Sequence, residues 1–303
     1  MPFTTEIKNE ICQLDKNRME SLVELSAFIR NDYSKVTSNK IELLTENPKV
    51  AKRIYLLFKS LYDVTCIMDN DISHRLLKRR YYTLTITDNV SDILSSLNIV
   101  ENDAYLVKPK DYFVETEEEK RAYLRGVFLK TGSINDPKTA RYHLELMIDK
   151  KEEAEYVIEL LNYFNIKSKA LYRENGYMVY VKKAEKIADF LRIIEANRAV
   201  LYFEDIRIYR DHKNMTNRLN NCEQANIDKV IESANKQIDD IDKLLEKYEY
   251  DALDEKIKEI IDYRKKYPEA SLMELSKIMS FETGKEITKS GLNHRFRKIK
   301  GML

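Results

Sequence analysis

Two stretches of this chain are near-copies of one another. Leu22-Val23-Glu24-Leu25-Ser26-Ala27-Phe28-Ile29-Arg30-Asn31-Asp32 aligns without a gap on Arg121-Ala122-Tyr123-Leu124-Arg125-Gly126-Val127-Phe128-Leu129-Lys130-Thr131. Each reads as an apolar helix with a small residue at mid-face, Ala27 or Gly126, running into a turn. The flanking patterns repeat too. Helix 16–30 is followed by a strand at 40–45, a helix opened by Pro48 and ending near Tyr62, strands at 65–68 and 81–87, and a helix ending near Leu97. In the second copy the order is helix 116–130, strand 142–148, helix 151–164, a hairpin of 166–172 and 177–181 around Asn175-Gly176, and helix 184–194. Residues 16–97 and 116–194 are therefore two α-β-α-β-β-α units, and such internal repetition limits the fold more than any local propensity does. Apolar positions in the closing helices agree, Ile93 and Leu97 against Ile187 and Leu191. A small residue inside an apolar face lets two helices approach closely, so the two copies are expected to join through the repeated helix.

Beyond the repeat the pattern changes. Residues 197–250 read as long helix, with a polar, amide-rich run at 215–226 and apolar residues near helical spacing from Val230 to Leu245. Three short helices follow: 254–266 before Pro268, 272–279 capped by Ser271, and one capped by Thr288 that runs to about Lys300. This reads as a helix-turn-helix, although the stretch Ser280–Ile287 exceeds the usual turn. The expected organisation is an N-terminal helix (1–15), two halves of one duplicated domain (16–110 and 111–196), a helical linker (197–250) and a C-terminal all-α domain (251–303). The overall class is α+β. Only 6 Gly and 5 Pro among 303 residues argue against long irregular loops.

Several function classes are excluded at this level. The N-terminus lacks the basic and apolar segments of a secretory leader, and no apolar run is long enough to span a bilayer. The three cysteines, Cys12, Cys66 and Cys222, share no close spacing, so neither a zinc site nor a disulfide framework is expected. His74, His143 and His212 have no partner at ligand spacing. No cofactor and no membrane partner are expected.

The chemistry concentrates in the last helix. Leu292, Phe296 and Ile299 fall on one apolar face, leaving Lys289, Ser290, Asn293, His294, Arg297 and Lys298 outward, with Arg295 beside them. Between Lys285 and Leu303 six Lys or Arg stand against one acid, on a chain whose net charge is only +1. Arg and Asn can pair with guanine and adenine edges, while Ser and Lys fix phosphates. These seven residues are the DNA-binding candidates. Lys78, Arg79 and Arg80 are weighed equally as phosphate contacts and as a solvated loop.

The repeated helices raise a second chemistry. Carboxylates at the ends of two crossing helices would hold divalent metal against scissile phosphates. Asp32 stands at that position in the first copy, but Thr131 replaces it in the second. Half of a two-acid centre should leave little catalysis, so Asp32 is expected to be a vestigial acidic position with no metal bound.

The paired helices resemble the LAGLIDADG motifs of homing endonucleases. The whole chain resembles the WhiA family of bacterial sporulation and cell-division regulators, on Met1-Pro2-Phe3-Thr4-Thr5-Glu6-Ile7, Tyr123-Leu124-Arg125-Gly126 with Gly132-Ser133-Ile134-Asn135-Asp136-Pro137, Asn217-Arg218 with Asn221-Cys222-Glu223, and Lys289-Ser290-Gly291-Leu292-Asn293-His294-Arg295. The resemblance implies a degenerate LAGLIDADG domain joined by a helical linker to a helix-turn-helix. It also implies a DNA-binding protein without nuclease activity, linked to cell division and chromosome segregation.

The expected function is thus a non-enzymatic transcriptional or chromosome-associated regulator. Its partner is double-stranded DNA, with a protein partner on the duplicated domain as a further option. Localisation is expected in the bacterial cytoplasm, on the nucleoid. Two half-units in one chain make a dimer unnecessary, so a monomer is expected. The alternatives are a metal-dependent LAGLIDADG-type endonuclease and a scaffold for a protein partner.

Overall fold

The computed structural model describes residues 2–31, 36–72, 80–174 and 176–303. These form two compact units, Met1–Arg210 and Asp211–Leu303.

The first unit is built around the repeated helices, α2 (Arg18–Arg30) and α5 (Glu117–Thr131). Each starts on a side-chain cap: Asn17 accepts from Glu20 N, and Thr116 forms a reciprocal capping box with Glu119. Both helices are buried on nearly every side. Val23, Leu25, Phe28, Leu124, Val127 and Phe128 have no exposed surface. An apolar character that runs around the helix rather than along one stripe is what a central helix needs. Gly126 is required where the two cross. A Cβ there would run into the Glu24 carbonyl oxygen and lie 2.8 Å from Ala27 Cβ.

Around this pair, β1 (Val36–Thr37), β2 (Lys40–Thr45), α3 (Pro48–Tyr62), β3 (Ile67–Ile72), β4 (Arg80–Ile86) and α4 (Val90–Ser96) complete the first half. The second adds β7 (Gly132–Ile134), β8 (Leu144–Ile148), α6 (Lys151–Tyr163), β9 (Lys169–Arg173), β10 (Gly176–Val181) and α7 (Ala184–Ile193). The sheets have matching strand orders, β1-β2-β4-β3 and β7-β8-β10-β9, with every pairing antiparallel. The duplication and the α+β class therefore hold, but each half carries one strand more than its pattern suggests. The added strands, β1 and β7, have two and three residues, too few to show an alternation. Between the halves, β5 (Val100–Glu101) and β6 (Ala104–Tyr105) form a hairpin. Its two turn residues, Asn102 and Asp103, both have positive φ, as a tight hairpin turn demands.

Helix α1 (Phe3–Ile11) belongs to the same core, burying Phe3, Ile7 and Ile11. The Thr4 hydroxyl accepts from Ile134 N and donates to Ile134 O, both at 2.9 Å, so it closes the edge of β7. Glu10 accepts from the Arg198 and Ala199 amides. It thereby caps the start of α8 (Asn197–Lys247), a single helix of 51 residues. Every residue of α8 from 211 to 229 is exposed. Among the described residues no helix is long and apolar enough to cross a membrane.

A closed ionic cluster lies under the α2–α5 crossing. Glu24, fully buried, accepts from Arg125 Nε at 2.5 Å and from Arg53 Nη2 at 3.0 Å. Arg125 also donates to Glu195 at 2.7 Å, and Lys16 pairs with both Glu195 and Glu20. Three cations thus face three carboxylates. Burial alone would raise the Glu24 carboxyl, but Arg125 and Arg53 outweigh it and hold the group below the usual carboxylate range.

Candidate nucleic-acid interface

The C-terminal unit packs α9 (Glu255–Lys266), α10 (Leu272–Thr283) and α11 (Lys289–Met302) against the end of α8. Its boundaries are written in its caps. Asp254 accepts from Lys256 N, Ser271 and Glu274 form a capping box, and Thr288 accepts from Gly291 N. Gly284 ends α10 at φ 66°, the left-handed conformation that glycine adopts freely. Ile257, Ile260, Leu275, Met279, Leu292, Phe296 and Ile299 form the core, with Ile241 and Leu244 contributed by α8.

Helix α10 reaches Thr283, past the expected end at Met279. Residues 284–288 alone therefore connect it to α11, and half of the long turn read from sequence is helix. Ser280 fixes this connection, accepting from Ile287 N at 2.9 Å and donating to Ile287 O at 3.2 Å. At the other corner the buried Arg264 donates to Tyr267 O and Ala270 O.

This frame sets the faces of α11. Lys289, Ser290, Asn293, His294, Arg297 and Lys298 are exposed. Arg295 is turned back onto α9, bonding Glu259 at 2.6 Å and reaching Lys256 O at 3.4 Å. Lys298 stands 3.7 Å from Asp254 on the same side. On the opposite side a groove of about 320 Å³ runs between α11 and α8, lined by Asn293, Arg297 and Lys300 and by Lys229, Lys236 and Asp240. Reading 197–250 as a linker passes over Lys229 and Lys236. The signal was present: Val230, Ala234, Ile241 and Leu244 follow helical spacing and mark this end of α8 as packed.

The remaining candidates are placed as follows. Asp32, Lys78 and Arg79 lie outside the described residues, and Arg80 opens β4. Thr131 ends α5, and its hydroxyl donates to Val127 O within its own helix. On the first sheet Ile41, Leu43, Leu84 and Ile86 point into the core, whereas Glu42 and Asp69 fall on the other face. Glu42 is paired there with Lys40 at 2.6 Å.

Fold and interface together define a duplicated LAGLIDADG-like α+β domain carrying a helix-turn-helix. Residues 18–100 match the WhiA N-terminal LAGLIDADG-like domain, 120–213 the WhiA LAGLIDADG-like domain, and 216–303 the WhiA C-terminal HTH domain. Proteins named "Probable cell division protein WhiA" from Bacillus cereus (strain AH187) and Bacillus anthracis (strain CDC 684 / NRRL 3495) are each 42% identical over 303 residues, covering 99% of this chain and 95% of the relative. The full-length DUF199/WhiA crystal structure from Thermatoga maritima superimposes with a TM-score of 0.60 at 24% identity, covering 99% of this chain and 96% of that one. A crystal structure of the N-terminal LAGLIDADG domain of DUF199/WhiA gives 0.52 at 26% identity, over 64% of this chain and 90% of the other. The chain belongs to the WhiA family.

Proposed function

We propose that this chain is a non-catalytic, DNA-binding regulator acting in cell division and chromosome segregation, bound to double-stranded DNA on the nucleoid. One observation carries the reading. Ser290, His294 and Arg297 project from the middle of the exposed face of α11, flanked by Lys289 and Asn293. Among the described residues none of these five side chains has a hydrogen-bond or ion-pair partner. A rigid helix that presents unspent donors of this kind matches major-groove readout, with Arg297 and Asn293 toward base edges and Lys289 and Ser290 toward phosphates. Lys298, beside Asp254, adds only a weaker phosphate contact at the rim, and Arg295 holds α11 against α9 rather than touching DNA.

The duplicated domain serves as a scaffold. Where a second acid would complete a metal centre, Thr131 has a hydroxyl already bonded within its own helix. That supports holding DNA over cutting it. The chain works as a monomer in the cytoplasm, and the duplicated domain is the place for any protein partner.

Footprinting with the full chain tests the reading. Arg297→Ala should weaken or blur the protected site, and an unchanged footprint overturns the assignment of α11. Supercoiled plasmid incubated with the protein and Mg²⁺ should stay intact. Cleavage that is lost in Asp32→Asn would establish the endonuclease alternative instead.

A further inference from the structure

Helix α11 has two flanks of opposite electrostatic character. Toward α9 its cations are spent: Arg295 pairs with Glu259 at 2.6 Å and Lys298 stands 3.7 Å from Asp254. Toward α8 they are not. Lys289 and Lys300 are exposed and have no acid partner among the described residues, and the same holds for Lys229 across the groove on α8. Lys229 lines this groove beside Asn293 and Arg297, and also a smaller cavity of about 220 Å³ beside Lys289 and Ser271. Two acids face the groove from α8. Glu232 is taken up by Lys236 at 2.6 Å, which leaves Asp240 against Lys229, Arg297 and Lys300. The side of α11 that faces α8 therefore carries the positive excess.

We propose that this flank is a phosphate-binding ledge for duplex DNA, in which Lys229 of α8 adds a backbone contact to those of Lys289 and Lys300. The proposal rests on the DNA-binding reading of α11 and extends it. The last part of α8 becomes part of the interface rather than a support for it. A duplex held by this ledge tilts toward α8 and away from α9, which sets the register in which Asn293 and Arg297 meet the base edges. Phosphate contacts position the protein without carrying sequence information, so Lys229 should act alike on every sequence.

Fluorescence anisotropy with the full chain and a labelled random-sequence duplex, titrated over a range of salt, tests the ledge. Lys229→Ala should weaken binding roughly threefold and reduce the steepness of the salt dependence by about one counterion. Lys229→Arg should restore both. Lys298→Ala, on the neutralised flank, should change binding less than Lys229→Ala does. Unchanged affinity and slope in Lys229→Ala, while Arg297→Ala still weakens binding, would overturn the ledge and leave α11 as the DNA-binding helix. An equal loss in Lys298→Ala and Lys229→Ala would overturn the assignment of sides. If the unsubstituted chain does not bind the duplex at all, the ledge and the reading beneath it both fail.

Discussion

The α2–α5 crossing and the exposed face of α11 use the same kinds of side chain to opposite ends. At the crossing, Arg53 and Arg125 are buried and meet Glu24, Glu20 and Glu195. On α11, Arg297 and Lys289 are exposed and have no ion-pair partner among the described residues. A cation enclosed with its counter-ion is committed to that contact, since removing one partner strands the other in a low-dielectric interior. A cation left in water at little cost can still exchange its hydration for a phosphate or a base edge. Cations free for recognition are therefore those of α11, where the proposed DNA contacts lie, whereas the charged residues of the duplicated helices are committed to one another.

Substitutions at the crossing should produce the largest effects. Glu24→Ala leaves Arg53 and Arg125 without their shared carboxylate and should cost about 3–5 kcal/mol in chemical denaturation. A loss below about 1 kcal/mol would mean that water reaches the cluster and that the contrast with α11 is weaker than drawn. The same carboxyl should leave a signature in acid. Its folded value lies below its unfolded one, so its stabilisation is complete above the ordinary glutamate range and is lost as pH falls through the depressed value. Comparing acid titrations of the native chain and Glu24→Gln checks this, and the variant should lack that part of the slope.

Gly126→Ala comes next. The new methyl meets backbone rather than a flexible side chain, and forcing the helices apart should cost about 1–3 kcal/mol. A melting temperature equal to that of the native chain would show that the crossing is looser than its geometry. On α11 the effect moves from stability to binding. Asn293→Ala should leave the melt unchanged while reducing discrimination between specific and random duplexes by about 1–3 kcal/mol. A changed melt with unchanged binding would assign Asn293 to packing.

Lys8 offers a smaller test inside the first unit. Burial, with Lys130 nearby, lowers its ammonium to about 8. The unfolded chain holds that proton to higher pH, so stability should rise as pH climbs from about 8 toward about 10. Lys8→Met should flatten that rise in thermal melts. The smallest change belongs to Arg295→Ala, which breaks a partly exposed pair with Glu259 and should cost about 0.2–1 kcal/mol of stability. Duplex affinity should hardly move. A marked loss of DNA binding would place Arg295 among the base-reading residues and erase the distinction between the two flanks.

Much of this was legible in the chain. The strand at 40–45 and the helix at 48–62 coincide residue for residue with β2 and α3, because alternation, helical spacing and Pro48 are local signals. The apolar face Leu292, Phe296 and Ile299 is buried as its spacing implies. Strands β1 and β7 were not legible, since so few residues become strands only through their partners. The continuation of α10 to Thr283 was hidden for a related reason. Ser280 looks like a turn residue until its hydroxyl is seen bonding to Ser276 O and to Ile287.

The sequence by itself determined the duplication, the α+β class, the helix-turn-helix and the asymmetry between Asp32 and Thr131, because each is carried by residue type and spacing along the chain. Only the tertiary structure decided which charges are spent. Arg295 and Arg297 are two residues apart and chemically alike. One meets Glu259 and the other faces the groove beside Lys229. That outcome depends on which helices pack on either side of α11, and neighbours in space are not written in the order of the chain.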